Sequence, residues 1–177
     1  YNACPFLFQG EVLGYYYKQN PYGKEKEFLS KGTDIFMMNH PVTKSVWSCL
    51  ICYDVLLPGI FGKLQKANFI AIPTNSPRRK ESEQDRQNRD KEIYVQGAKE
   101  SQAMLFKCCS VGQVGRDWPR KCIPGLKKAP RLQGRSLIAS QDKVLWKAKH
   151  IDWTGISILN TKTKEITTYE WISDNVL

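Results

Sequence analysis

The chain reads as an α/β fold, a mixed domain of layered sheets in one continuous unit, and three observations predict it. Residues 45–51 and 68–73 are short apolar runs of strand character, and between them Leu56, Leu57, Ile60, Phe61 and Leu64 recur at helical spacing. Strand, helix, strand over this length is the signature of a parallel crossover. A second unit of the same kind closes with a strand at residues 103–109, after a helix that runs to about Ala103. Antiparallel pairs are expected near both ends, where aromatic and β-branched residues flank turn-forming ones.

In chain order, Pro5 precedes a first pair made of Phe6-Leu7-Phe8, the turn Gln9-Gly10-Glu11, and Val12 through Tyr17, with Lys18 at the end of the second strand. Residues 19–34 are polar and carry Pro21, Gly23 and Gly32, hence a loop. Strands follow at 35–38 and 45–51, the second nearly continuous in apolar side chains, as suits a strand covered on both faces. Residues 78–92 mix both signs of charge and read as one solvated face leading into the second crossover helix. Residues 136–139 and 144–146 form a hairpin about Gln141 and Asp142, and 155–159 with 165–171 make a last pair.

With 177 residues, 41% hydrophobic and 25% charged, the chain can bury a real core and is not a disordered segment. No run approaches the roughly 18 apolar residues of a membrane span. The longest candidate, residues 46–57, is interrupted by Ser48 and Asp54, so no membrane partner is expected. The six cysteines are too sparse for a disulfide scaffold, and adjacent Cys108 and Cys109 would be an awkward framework pair. Reduced thiols in a cytoplasmic protein are the expectation.

The net charge of +10 concentrates in residues 116–135, where Arg116, Arg120, Lys121, Lys127, Lys128, Arg131 and Arg135 face Asp117 alone. Such a block can bind nucleic acid or an acidic partner. Pro119, Pro124, Gly125 and Pro130 favour a loop, and Trp118 by itself is no stacking platform. A loop near the mouth of a site is expected in preference to nucleic-acid binding.

The residue with the most chemistry is Cys52, in Leu50-Ile51-Cys52-Tyr53-Asp54. It falls at the C-terminal end of a buried strand and just before a helix, where open α/β sheets carry their reactive groups. A helix N-terminus favours the thiolate, the nucleophilic form. A buried, inert cysteine is the plain alternative. Cys49 and Cys52 also spell Cys-x-x-Cys, but no second pair follows, and His40 and His150 are isolated. Residues three apart on a strand point to opposite faces, so no metal or other cofactor is expected.

Several further motifs accompany Cys52 in a fixed order. Tyr16-Tyr17-Lys18 ends an aromatic-rich strand upstream; Glu25, Phe28 and Gly32 follow it. Downstream come Ile72-Pro73-Thr74-Asn75, Ala98-Lys99-Glu100-Ser101, Val111-Gly112 and Gly134-Arg135-Ser136-Leu137-Ile138. Together with Ile51-Cys52-Tyr53-Asp54 this series resembles the latter two-thirds of the nitrilase, or carbon–nitrogen hydrolase, superfamily, over nearly the whole chain.

The resemblance implies an α-β-β-α sandwich lacking its first strands and helices, a partial domain over residues 1–177. It implies pairing into a homodimer or higher homo-oligomer, and hydrolysis of a linear amide, with nitrile or carbamoyl compounds subordinate, through a cysteine thioester. Cys52 takes the nucleophile's place, Lys18 the oxyanion-stabilising lysine's with the backbone N–H of Tyr53, and Glu25 the second glutamate's. Asp54, Thr74 and Asn75 become candidates for the substrate pocket. The family's general-base glutamate has no match and would lie upstream of Tyr1, so an N-terminally truncated chain, inactive alone, is expected. Four positions depart from the family pattern: Ser48, Gly59, Gly62 and Ser101. Gly59 and Gly62 motivate the alternative of a non-catalytic relative that binds a ligand or partner.

Overall fold

The computed structural model describes residues 1–77, 80–112, 131–132, 134–150 and 152–171. Strands β1 (Ala3–Phe8) and β2 (Glu11–Tyr17) pair antiparallel about Gln9 and Gly10. Both turn residues have positive φ, 50° and 86°, the conformation a two-residue hairpin loop demands and the reason for a glycine there. Pro5 lies inside β1, opposite Tyr15, and not ahead of it. The strand has a partner on one side only, so the missing N–H leaves no ladder bond unmade.

Residues 19–34 are not wholly loop: one helical turn, α1 (Glu25–Phe28), interrupts them. A six-stranded sheet follows, built from β3 (Met37–Asn39), β4 (Val46–Cys49), β5 (Phe69–Thr74), β6 (Met104–Cys109), β7 (Leu137–Ala139) and β8 (Val144–Lys147), adjacent in that order. The pairs β4–β5 and β5–β6 are parallel, so both predicted crossovers are present, and the other pairs are antiparallel. A separate pair, β9 (Gly155–Leu159) and β10 (Ile166–Glu170), ends the described fold.

The first crossover departs from expectation in its connection. Two 3-10 turns, Cys52–Leu56 and Gly62–Leu64, replace the helix. Pro58 cannot continue a helix and Gly59 turns the chain at φ +66°. Of the five spaced residues Ile60, Phe61 and Leu64 are in the core, joined there by Val55, whereas Leu57 is half-buried and Leu56 is exposed. Gly59 has a positive φ, a conformation that a residue with a β-carbon adopts only under strain.

The second crossover begins earlier than the charge pattern implied. Helix α2 (Glu83–Asp90) starts at Ser82, whose side chain accepts the Asp85 N–H at 3.1 Å. A π-helical turn (Lys91–Val95) joins it to α3 (Gln96–Ser101). Residues 78–92 are therefore not one solvated face. Helical periodicity turns Arg86, Arg89 and Asp90 inward: Glu81 is held in a fork by Arg89, and Arg135 reaches Asp90 at 2.5 Å. Beside them, Lys107 of β6 is buried, 3.8 Å from Asp90 and 4.7 Å over the Tyr94 ring. Burial pushes the Lys107 ammonium below its ordinary value, against the pull of Cys109 and Asp90.

Leu50, Leu64, Ile70, Ile72, Leu105 and Leu137 are essentially inaccessible. Each such side chain contributes about 1.5–3 kcal/mol on burial. The core therefore clamps β4, β5 and β6 together and fixes their carboxyl ends side by side. Most of the basic block, residues 116–130 and 133, lies outside the described residues; Arg131 forms an ion pair with Asp152 at 2.8 Å. Among the described residues no helix is long and apolar enough to cross a membrane.

Candidate active site

Three segments meet at the carboxyl ends of β2, β4 and β5. From β2, Lys18 is buried to 4% exposure although it is a lysine at a strand end. Its Nζ donates to Glu25 Oε2 at 2.5 Å. Glu25 also accepts the Tyr22 N–H at 2.7 Å and the Asn2 amide at 3.0 Å. Burial alone raises a carboxyl pKa, but these three donors outweigh it and hold Glu25 below the usual carboxylate range. Glu25 is thus ionised, and the short helical turn α1 points it back at Lys18. Gly32 contributes too: its N–H donates to Lys18 O at 2.8 Å, and a Cβ there would meet Tyr17 O at 2.1 Å.

From β4, Cys52 opens the first 3-10 turn at φ +51°. A β-carbon in that region carries about 1–2 kcal/mol of strain. Strain of this kind persists where the surroundings over-determine it. The thiol is partly exposed, and Ser76 Oγ lies 3.7 Å away, beyond the end of β5. Cys49 is unlike Cys52: it is wholly buried, and its thiol is pushed up by hydrogen bonding with Cys4 and by burial. The two cysteines therefore face different surroundings. Among the described residues no group of three or more His, Cys, Asp or Glu is placed to hold a metal ion.

The remaining sequence candidates divide. Thr74 is buried and donates to Ile72 O at 3.2 Å, whereas Asn75 is exposed at the mouth of the β5 end. Asp54 is fully buried and lines no opening. Its Oδ2 accepts from Tyr16 Oη at 2.8 Å and the Ile51 N–H at 3.0 Å; its Oδ1 accepts the Gln19 and Asn20 N–H groups at 3.1 and 2.7 Å. Burial and the Asp54 charge push the Tyr16 phenol well above its ordinary value. Sequence reasoning missed Asn2, Tyr16, Asn20 and Ser76. Tyr16 stands inside a quoted motif without a role of its own and Ser76 adjoins one, so both carried that much signal; Asn2 and Asn20 carried none.

No family model matches the chain, and no curated protein does so by sequence. Solved structures do. The glutamine-dependent NAD+ synthetase of Acinetobacter baumannii superposes with TM-score 0.68 at 19% identity, over 98% of this chain and 29% of its own. An amidase from Nesterenkonia sp. gives TM-score 0.63 at 18% identity, over 93% of this chain and 52% of its own. A variant of the Nesterenkonia amidase that shows Michael addition of acrylamide at the active site cysteine gives 0.62 at 20% identity, over 81% and 50%. The mixed sheet and its crossovers are thus those of the carbon–nitrogen hydrolase fold, shared with amidases of the nitrilase superfamily. The chain spans about half the length of those amidases and under a third of the synthetase.

Proposed function

We propose that this chain carries the nucleophile side of a carbon–nitrogen hydrolase site acting on small linear amides. The observation that carries the reading is the buried, ion-paired Lys18, tied through Asp54 to the strained turn that presents Cys52. Cys52 Sγ adds to the amide carbonyl carbon, the C–N bond breaks, ammonia leaves, and water hydrolyses the resulting thioester to the acid. Lys18 and the Tyr53 N–H stabilise the oxyanion, and Glu25 holds Lys18 in place. Asn75 and Ser76 border the acyl group.

The family's base glutamate, which would take the thiol proton and return it to the departing nitrogen, has no counterpart in residues 1–177. Turnover is therefore proposed for a protein that also supplies that carboxylate. Pairing into a homo-oligomer belongs to the same reading, supported by the exposed Ile156 and Ile158 on β9, Tyr169 on β10 and Trp171 just after it.

Acrylamide is the test reagent, since it adds at the active site cysteine of the Nesterenkonia amidase variant. Mass spectrometry should find Cys52 modified ahead of the exposed Cys108, at a rate that saturates with reagent. Modification of Cys108 with Cys52 untouched would favour the non-catalytic relative, for which the glycine at position 59 speaks.

A further inference from the structure

We infer that Asp54 is a positioning residue: its buried carboxylate sets the Lys18 and Cys52 loops in one register. The inference rests on the amidase reading of Cys52 and Lys18, and departs from the expectation that Asp54 borders substrate. A carboxylate wholly removed from water must be satisfied by donors, and here four supply it. They come from two places. Oδ1 takes the N–H groups of Gln19 and Asn20, the two residues after Lys18. Oδ2 takes the N–H of Ile51, the residue before Cys52, and the hydroxyl of Tyr16, two before Lys18.

Independent contacts cross the same seam. Asn20 Nδ2 donates to Tyr53 O at 3.1 Å, and the Tyr22 and Tyr53 rings pack 4.7 Å apart. Tyr53, whose N–H is the proposed oxyanion donor, is therefore held through its own carbonyl and ring by the loop that carries Lys18. No sheet ladder joins β2 to β4, because β1 and β2 form their own sheet. Asp54 does the work a ladder would do.

The geometry predicts what Asp54→Asn does. The amide has one acceptor oxygen and must aim its NH2 at one pair of donors. The Tyr16 hydroxyl can turn to accept, whereas backbone N–H groups cannot. The NH2 therefore takes the Oδ2 position, and the Ile51 N–H beside Cys52 loses its partner. Asn20→Ala, at a half-buried loop position, cuts the Tyr53 brace without touching the carboxylate.

The experiment measures acrylamide labelling of Cys52 against Cys108 in the wild type and both variants, with amide hydrogen exchange at Ile51, Gln19 and Asn20. Expected is a fall of about a hundredfold in the limiting labelling rate for Asp54→Asn, with half-saturation little changed, and faster exchange at Ile51 than at Gln19 and Asn20. Asn20→Ala should show the same effect in smaller measure. If Asp54→Asn does not fold, Tyr16→Phe, which takes the hydroxyl donor from Oδ2 and leaves the other three in place, decides by the same two readouts. Folded variants with wild-type Cys52 kinetics and unchanged Ile51 exchange overturn the inference. Failure of the amidase reading looks different: wild-type Cys52 reacts no faster than Cys108, and the exchange data alone then judge the register.

Discussion

Replacing Lys18 by Met separates the chemistry of this site from its stability. Methionine keeps most of the apolar stem and removes the ammonium. Glu25 loses one of three donors but keeps the Tyr22 N–H and Asn2, and at 28% exposure it can draw on water for the rest. The variant also avoids the cost of burying an ammonium at 4% exposure. The net change in stability is therefore small, about 1 kcal/mol after solvent screening, which in a chain of this size is a shift of roughly 2–4 °C in Tm. The barrier behaves differently, since loss of one oxyanion donor costs about 2.7–4 kcal/mol, or a hundred- to a thousandfold in rate. Ammonia release from butyramide or acrylamide by a protein that also supplies the base carboxylate, followed alongside thermal denaturation, reads both quantities. A folded Lys18→Met variant that keeps amide hydrolysis within about threefold of wild type would refute the oxyanion role.

Three further outcomes are expected. Glu25 and Glu81 have folded-state pKa values below their unfolded ones, Glu81 because Arg89, Arg135 and Arg86 overcome its burial. Their stabilisation is complete above the unfolded value near about pH 4.3 and is lost as pH falls through the folded values. A Tm series below pH 5 should show this loss, and Glu25→Gln should flatten it. Gly32→Ala places a Cβ 2.1 Å from Tyr17 O, so the loop must move, at about 1–3 kcal/mol in urea titration; an unchanged midpoint would mean that the close approach is not real. At position 52, Cys52→Gly should be more stable than Cys52→Ala by up to about 1 kcal/mol, because glycine tolerates φ +51° and alanine does not. The reverse order in thermal melts would remove the strain argument.

Much of this was legible in the residues. The apolar run of β5 and the aromatic run of β2 fixed those strands locally, and the ordered motifs from Tyr16 to Ile138 located a fold that pairwise identities of 16–20% with its structural neighbours leave faint. Charge was the weakest guide. Residues 78–92 looked solvated because sequence records the signs of Glu81, Arg86, Arg89 and Asp90 but not that Arg135, far along the chain, meets them on the inner face. Apolar spacing after Asp54 was read as a helix because burial shares that period, while Pro58 and Gly59 broke the backbone into 3-10 turns.

By itself the sequence determined the strand segments, the parallel crossovers and the short set of residues able to do chemistry, because hydrophobic period and turn chemistry act within a few residues of one another. Only the tertiary structure decided how those residues are used. Lys18 could be recognised as a buried partner of Glu25, Cys49 as core and Asp54 as a brace only once β2, β4 and β5 had brought distant segments together. Burial and hydrogen-bond satisfaction are properties of that meeting, not of any one stretch of chain.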